Sequence, residues 1–297
     1  MKSFTLNNGL QVPSLCFGPG MLTRGMKFNS SFIGRIKSKF EYKHKEYIYY
    51  NALCDAIQVG YRFIDYSAAY GREDLIGKAI KSSEIKRDEF ILTTRITNAA
   101  QFSGDIKETV YRSIERFGVD YIDLLMFHWP VSEKYVDTWK QMIELQEEGV
   151  CKCLGVSNCH RHHLEQLIAD TGITPSINQV EIHPLLSQKP LIDFCRKKGI
   201  VCEAYTPLAR MDERLTRLPL MRTLSEKYKK TLTQIILRWH IQNGVIPVFR
   251  SLNKGRQKEN LDIFDFKISD SDMKSIDSIN INSRLRYDPD NCDFTIL

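Results

Sequence analysis

The chain has 297 residues, of which 42% are hydrophobic and 26% charged, a make-up that can bury a large core without disulfide or metal staples. No apolar run approaches the roughly 18 residues of a membrane span, and the N-terminus lacks the basic start and apolar stretch of a secretory signal, so a soluble cytoplasmic protein with no membrane partner is expected. The net charge of +6 is concentrated: between positions 22 and 45, Arg24, Lys27, Arg35, Lys37, Lys39, Lys43 and Lys45 stand against Glu41 alone, and the rest of the chain is balanced.

That basic stretch is short and belongs to no recognisable nucleic-acid-binding motif, so it reads as a solvated loop inserted after the first strand, with some attraction for phosphate or carboxylate ligands. The eight cysteines, at 16, 54, 151, 153, 159, 195, 202 and 292, lie mostly in apolar patterns. They suit a reducing compartment, where they act as small core residues.

In chain order, residues 4 to 12 come first, with Asn8-Gly9 flanked by Phe4, Leu6, Leu10 and Val12. This is a hairpin signal, and such a hairpin can plug the bottom of a barrel. Short apolar or β-branched runs then recur at about 13–17, 63–67, 90–94, 121–128, 151–157, 176–182, 201–206 and 245–249. Between them lie amphipathic stretches of helical length, among them 105–117, 136–148, 163–169 and 231–242. Strands alternating with helices in this number predict an α/β fold, a parallel (β/α)8 TIM barrel. No GxGxxG follows an early strand, which argues against a doubly wound open sheet. No composition break divides the chain, so one domain over 1–297 is expected.

Four polar residues close three of these apolar runs: Asp65 and Tyr70 in GYRFIDYSAAYGRE, Arg95 in FILTTRI and His128 in YIDLLMFHWP. In a parallel barrel such strand ends converge on one mouth. An acid, a phenol, a buried cation and an imidazole there suit proton delivery to a developing oxyanion.

The blocks GYRFIDYSAAYGRE, YIDLLMFHWP, GVSN, INQVEIHP, AYTPLA and RSLNKGRQKEN together resemble the signature segments of the aldo-keto reductase family, in order and over most of the chain. The resemblance implies NADPH-dependent reduction of an aldehyde or ketone, with NADPH (NADP+) as cofactor and no metal. It implies a catalytic tetrad of Asp, Tyr, Lys and His, which maps to Asp65, Tyr70, the position of Arg95, and His128. Tyr70 would donate the proton, Asp65 would anchor the cation, His128 would orient the carbonyl, and Trp129 would wall the substrate site.

Arg95 departs from that pattern. Arg keeps the charge but is larger than Lys, planar and never deprotonated. It can grip Asp65 through two parallel hydrogen bonds, and slow or narrow catalysis is expected.

The same transfer assigns Ser157, Asn158 and Gln179 to the nicotinamide carboxamide and Tyr205 to the ring face. It puts Thr206, Leu208 and the following loop, with Arg210 and Arg214, near the pyrophosphate. Arg250, Ser251 and Arg256 would meet the 2′-phosphate, and Glu259 and Asn260 the adenine. The run IPVFRS holds two more residues before Arg250 than the family's usual Ile-Pro-Lys-Ser. An alternative is an NADP(H)-binding regulatory or interaction protein with little turnover, using residues 22–45 as its partner surface.

The cluster Cys159, His160, His162 and His163 invites a zinc hypothesis but has no complementary CxxC, so it reads as the opening of the helix after GVSN. The loops around the substrate site suggest a shallow pocket for a polar carbonyl compound, anionic or sugar-like. The partner is therefore a small molecule rather than nucleic acid or membrane, and a monomer is favoured.

Overall fold

The computed structural model describes residues 2–22 and 32–296, with the side chains of 32–40 left aside. Strands β1 (Ser3–Thr5) and β2 (Gln11–Pro13) pair antiparallel with Phe4 opposite Val12. Gly9 turns the hairpin at φ +87°, a conformation glycine adopts without steric cost. Leu6 and Val12 are buried in the same cluster as Phe63, Ile91, Leu124 and Ile177 from the barrel strands. Asn7 and Asn8 also donate to the carbonyls of Thr174, at 3.2 Å, and Lys152, at 3.1 Å. The hairpin is thus fastened across the barrel floor.

Eight parallel strands close the barrel: β3 (Cys16–Phe17), β4 (Phe63–Asp65), β5 (Ile91–Ile96), β6 (Ile122–Phe127), β7 (Cys151–Ser157), β8 (Ile177–Glu181), β9 (Val201–Tyr205) and β10 (Val245–Phe249). β10 pairs with both β9 and β3, so the barrel has no edge. The predicted (β/α)8 architecture and its hairpin are present. Among the described residues, no helix is long and apolar enough to cross a membrane.

The outer helices follow their apolar periods. In Ile106–Phe117, residues Ile106, Val110, Ser113 and Phe117 are buried, a spacing of one helix face. This helix meets Glu73–Ser82 backbone to backbone, because a Cβ on Gly77 would lie 1.8 Å from the Phe117 carbonyl oxygen. Leu232–Gln242 begins with a capping box: the Thr231 N–H donates to Gln234 Oε1 at 2.9 Å, and the Gln234 N–H donates to Thr231 Oγ at 3.4 Å.

One expectation differs. The basic insertion is in part helical, since Phe32–Val59 forms a single 28-residue helix; residues 23–31 lie outside the described residues. From Ile36 to Val59 there is neither Gly nor Pro to stop a helix. Its C-terminal half is anchored by buried Tyr49, Leu53, Ala56 and Ile57.

Candidate active site

A cavity of about 930 Å³ opens at the C-terminal ends of the strands, lined among others by Asp65, Tyr70, Arg95, His128, Trp129, Ser157, Asn158 and Gln179. Period-2 alternation puts these side chains there: Thr93 and Arg95 share a face of β5, and Ile177, Gln179 and Glu181 share one of β8. Gly18 completes the rim, where a Cβ would come 2.8 Å from Val248 Cγ1.

Arg95 is buried at the centre. Its Nη2 donates to both oxygens of Asp65 and to Gln179 Oε1 at 2.6 Å. The grip on Asp65 is therefore made by one nitrogen rather than by the expected pair of parallel bonds, and the buried Nε has no hydrogen-bond partner. The Gln179 amide donates in turn to Asp65 Oδ1 at 3.2 Å and to Glu203 Oε2 at 2.8 Å.

Tyr70 ends a single 3₁₀ turn, Ala68–Tyr70, which Ser67 caps by accepting the Ala69 N–H and Gly71 closes at φ +75°. Its ring stands edge-on between Tyr66, at 5.2 Å, and His128, at 6.0 Å between centroids. Burial, helped by the charges of Arg95 and Arg286, pushes His128 down to about 3, so the imidazole is neutral near pH 7. Its Nδ1 lies 3.4 Å from Ser67 Oγ.

Asn158 ties three strand ends together: it donates to the His128 carbonyl at 2.9 Å, accepts from the Tyr205 hydroxyl at 2.7 Å, and donates its backbone N–H to the Gln179 carbonyl at 2.8 Å. Ser157 Oγ donates to that same carbonyl at 3.1 Å. Tyr205, Thr206, Leu208, Arg210 and Arg250 also line the cavity. Ser251, Arg256, Glu259 and Asn260 do not. Ser251 lies in the loop before the helix Lys254–Leu261 and the other three within it, where Glu259 accepts from the Thr231 hydroxyl at 2.8 Å. Arg214 is bound to Asp212, at 2.8 Å.

Residues 35–281 match the description Aldo/keto reductase family. The chain belongs to this family. It is 41% identical to the glyoxal reductase of Bacillus subtilis over 79% of this chain and 84% of that one. It is 39% identical to methylglyoxal reductase DkgA of Escherichia coli over 80% and 87%. Among solved structures, an aldo-keto reductase from a Medee basin deep-sea metagenome library matches with TM-score 0.87 at 34% identity, covering 98% of this chain and 100% of that one. The Bombyx mori aldo-keto reductase in complex with NADP matches at 0.84 and 29% identity, covering 97% and 96%.

Two features of this aldo-keto reductase site escaped the sequence reading. Glu203 is fully buried on β9, with Oε1 unpaired. Burial, then the charge of Asp65, pushes it up to about 8 against the opposing pull of Gln179 and Arg95. Its position two residues before Tyr205, on the same strand face, was the available signal.

The second is a clasp on the C-terminal tail. His160 Nδ1 lies 2.7 Å from Asp290 Oδ2, and Nε2 of His162 and of His163 lie 3.3 and 3.7 Å from Oδ1. His163 Nδ1 accepts the His160 backbone N–H at 3.1 Å, and His160 Nε2 faces Arg284 at 3.4 Å. On both rings the nitrogen facing Asp290 therefore carries the proton, whereas a metal ligand needs that nitrogen bare. The histidine run is wired to receive a carboxylate.

Proposed function

We propose that this protein reduces a small aldehyde or ketone to its alcohol with NADPH, Tyr70 giving the proton and His128 orienting the carbonyl. The observation that carries this reading is the buried Arg95, held by Asp65 and Gln179 beside Tyr70 and a neutral His128. The relatives named glyoxal and methylglyoxal reductase support a small carbonyl substrate.

The cavity suits the cofactor. Arg210 and Arg250 line it without a hydrogen bond or ion pair to any described residue, and an elongated diphosphate with a further phosphate answers both. Tyr205 offers a ring face, with Ser157, Asn158 and Gln179 around it, while Ser251, Arg256, Glu259 and Asn260 are assigned to the adenosine end. Bound there, the dihydronicotinamide supplies a hydride.

The protein's own groups do the rest. A phenol near pKa 10 is a weak acid at pH 7, and the guanidinium beside Tyr70 stabilises the tyrosinate left when the proton moves to the carbonyl oxygen. Ser67 Oγ already accepts from Ala69, so its hydroxyl proton is free to point at His128 Nδ1. That leaves the His128 proton on Nε2, ready to donate to the same oxygen. Trp129, buried and 6.4 Å from Phe294 between centroids, walls the substrate side.

The test follows NADPH oxidation with methylglyoxal. Tyr70→Phe should lower kcat by about a hundredfold or more while the NADPH dissociation constant holds. Wild-type turnover in the variant contradicts the role of Tyr70. NADPH binding without oxidation by the native protein supports a binding module instead.

A further inference from the structure

Three guanidinium groups line the cavity with no hydrogen bond or ion pair to a described residue: Arg210, Arg250 and Arg286. The first two fall on the side assigned to the cofactor phosphates. Of the three, Arg286 alone is near enough to His128 for its charge to help keep that imidazole unprotonated, in the cavity that Tyr70 and Trp129 also line.

The segment that presents Arg286 is fixed on both sides. Fully buried Glu181 accepts the backbone N–H groups of Leu285 and Arg286, at 2.7 and 3.0 Å. Four residues on, Asp290 is held by the three histidines. The nearby acid Asp288 is turned to Arg284, at 3.8 Å, and Glu181 is engaged with His183, at 3.0 Å. The backbone of Arg286 is thus fixed, while its guanidinium, on a residue exposed to solvent at the cavity, has no ion pair among the described residues and stands close enough to His128 to act on it.

We propose that Arg286 forms a carboxylate subsite at the substrate end of the cavity, so that oxo acids are preferred over neutral carbonyl compounds; the proposal rests on the reductase reading above. A guanidinium takes a carboxylate through two N–H donors at once, which fixes orientation as well as charge.

The test compares succinic semialdehyde with butanal, which lacks the carboxylate. The native protein should have the higher kcat/KM for the acid. Arg286→Ala should lose about tenfold or more of that preference, on the scale of a charged hydrogen bond, with butanal little changed, and Arg286→Lys should keep part of it. The NADPH dissociation constant should hold in both variants.

An unchanged acid-to-neutral ratio in Arg286→Ala overturns the proposal. So does a parallel weakening of NADPH, which assigns the arginine to the cofactor phosphates. A second measurement needs no turnover: glutarate is titrated into the NADPH complex and cofactor fluorescence is read. Weaker glutarate binding in Arg286→Ala supports the subsite even if no carbonyl compound is reduced, whereas equal binding overturns it.

Discussion

The terminal nitrogen of Arg95 has two N–H bonds and faces three oxygens, both of Asp65 and Oε1 of Gln179. An ammonium has three N–H donors arranged as a tripod, so this cage matches lysine better than the arginine it holds. The guanidinium also leaves Nε buried without a partner, a cost of roughly 1–3 kcal/mol. Arg95→Lys restores the donor count and withdraws the planar group from the space beside Tyr70. Its kcat on methylglyoxal should rise by roughly tenfold or more, since displacements near 1 Å carry penalties of that order. Steady-state NADPH oxidation measures it, with a melting curve to confirm folding. A kcat equal to or below the native value would show that the guanidinium is not what limits the reaction. The convergence of Asp65, Tyr70, Arg95 and His128 on one cavity was legible because each ends an apolar run or closes the short turn after one. The donor mismatch was not, because Gln179 is distant in sequence and meets Arg95 only when the barrel closes.

At the scale of elements, short apolar or β-branched runs located all eight barrel strands, and Asn8-Gly9 located the hairpin. The helix Phe32–Val59 was read in part as a loop, because its first half carries Lys and Arg rather than an apolar stripe. The C-terminal clasp was equally hidden: nothing in residues 284–296 shows that Asp290 returns to the N-terminus of the helix Arg161–Thr171. Yet this clasp holds the tail whose Arg286, Tyr287 and Ile296 line the cavity. Burial raises the Asp290 carboxyl pKa, but the His160 hydrogen bond and the charges of the three imidazoles outweigh it and hold the group below its usual value. The ionised carboxylate, and with it the clasp, persists at neutral pH and is lost only in acid, below about pH 4. Asp290→Asn turns amide donors toward imidazole donors and should loosen the tail. Backbone amides at 285–296 should exchange with deuterium faster than in the native protein, and KM should rise several-fold more than kcat falls. Unchanged exchange in that segment would mean that its other contacts, Glu181 with Leu285 and Arg286 and Asn98 with the Phe294 carbonyl, hold it without the histidines.

For the molecule as a whole, the barrel sets two carboxyl groups, Asp65 and Glu203, around one guanidinium at the floor of the cavity, with Glu203 fully buried beneath it. Neutralising Glu203 resolves the imbalance, in keeping with its rise to about 8. In the unfolded chain the same group titrates near 4.3. Below that value both states hold the proton, and folding incurs no penalty from this residue. Between about pH 4 and pH 8 the unfolded chain ionises while the native barrel keeps its proton. Stability therefore falls across this window, by up to about 1.4 kcal/mol per pH unit, and the loss levels off above pH 8. Glu203→Gln has nothing to ionise, and its carbonyl still accepts from Gln179. The variant and the native protein should melt at similar temperatures near pH 5. By pH 8 the variant should melt higher by roughly 2 °C or more, with no further divergence above pH 9. A melting-temperature difference that stays flat from pH 5 to pH 9 would mean that Glu203 is already ionised in the folded barrel, with the buried Arg95 shared between two carboxylates.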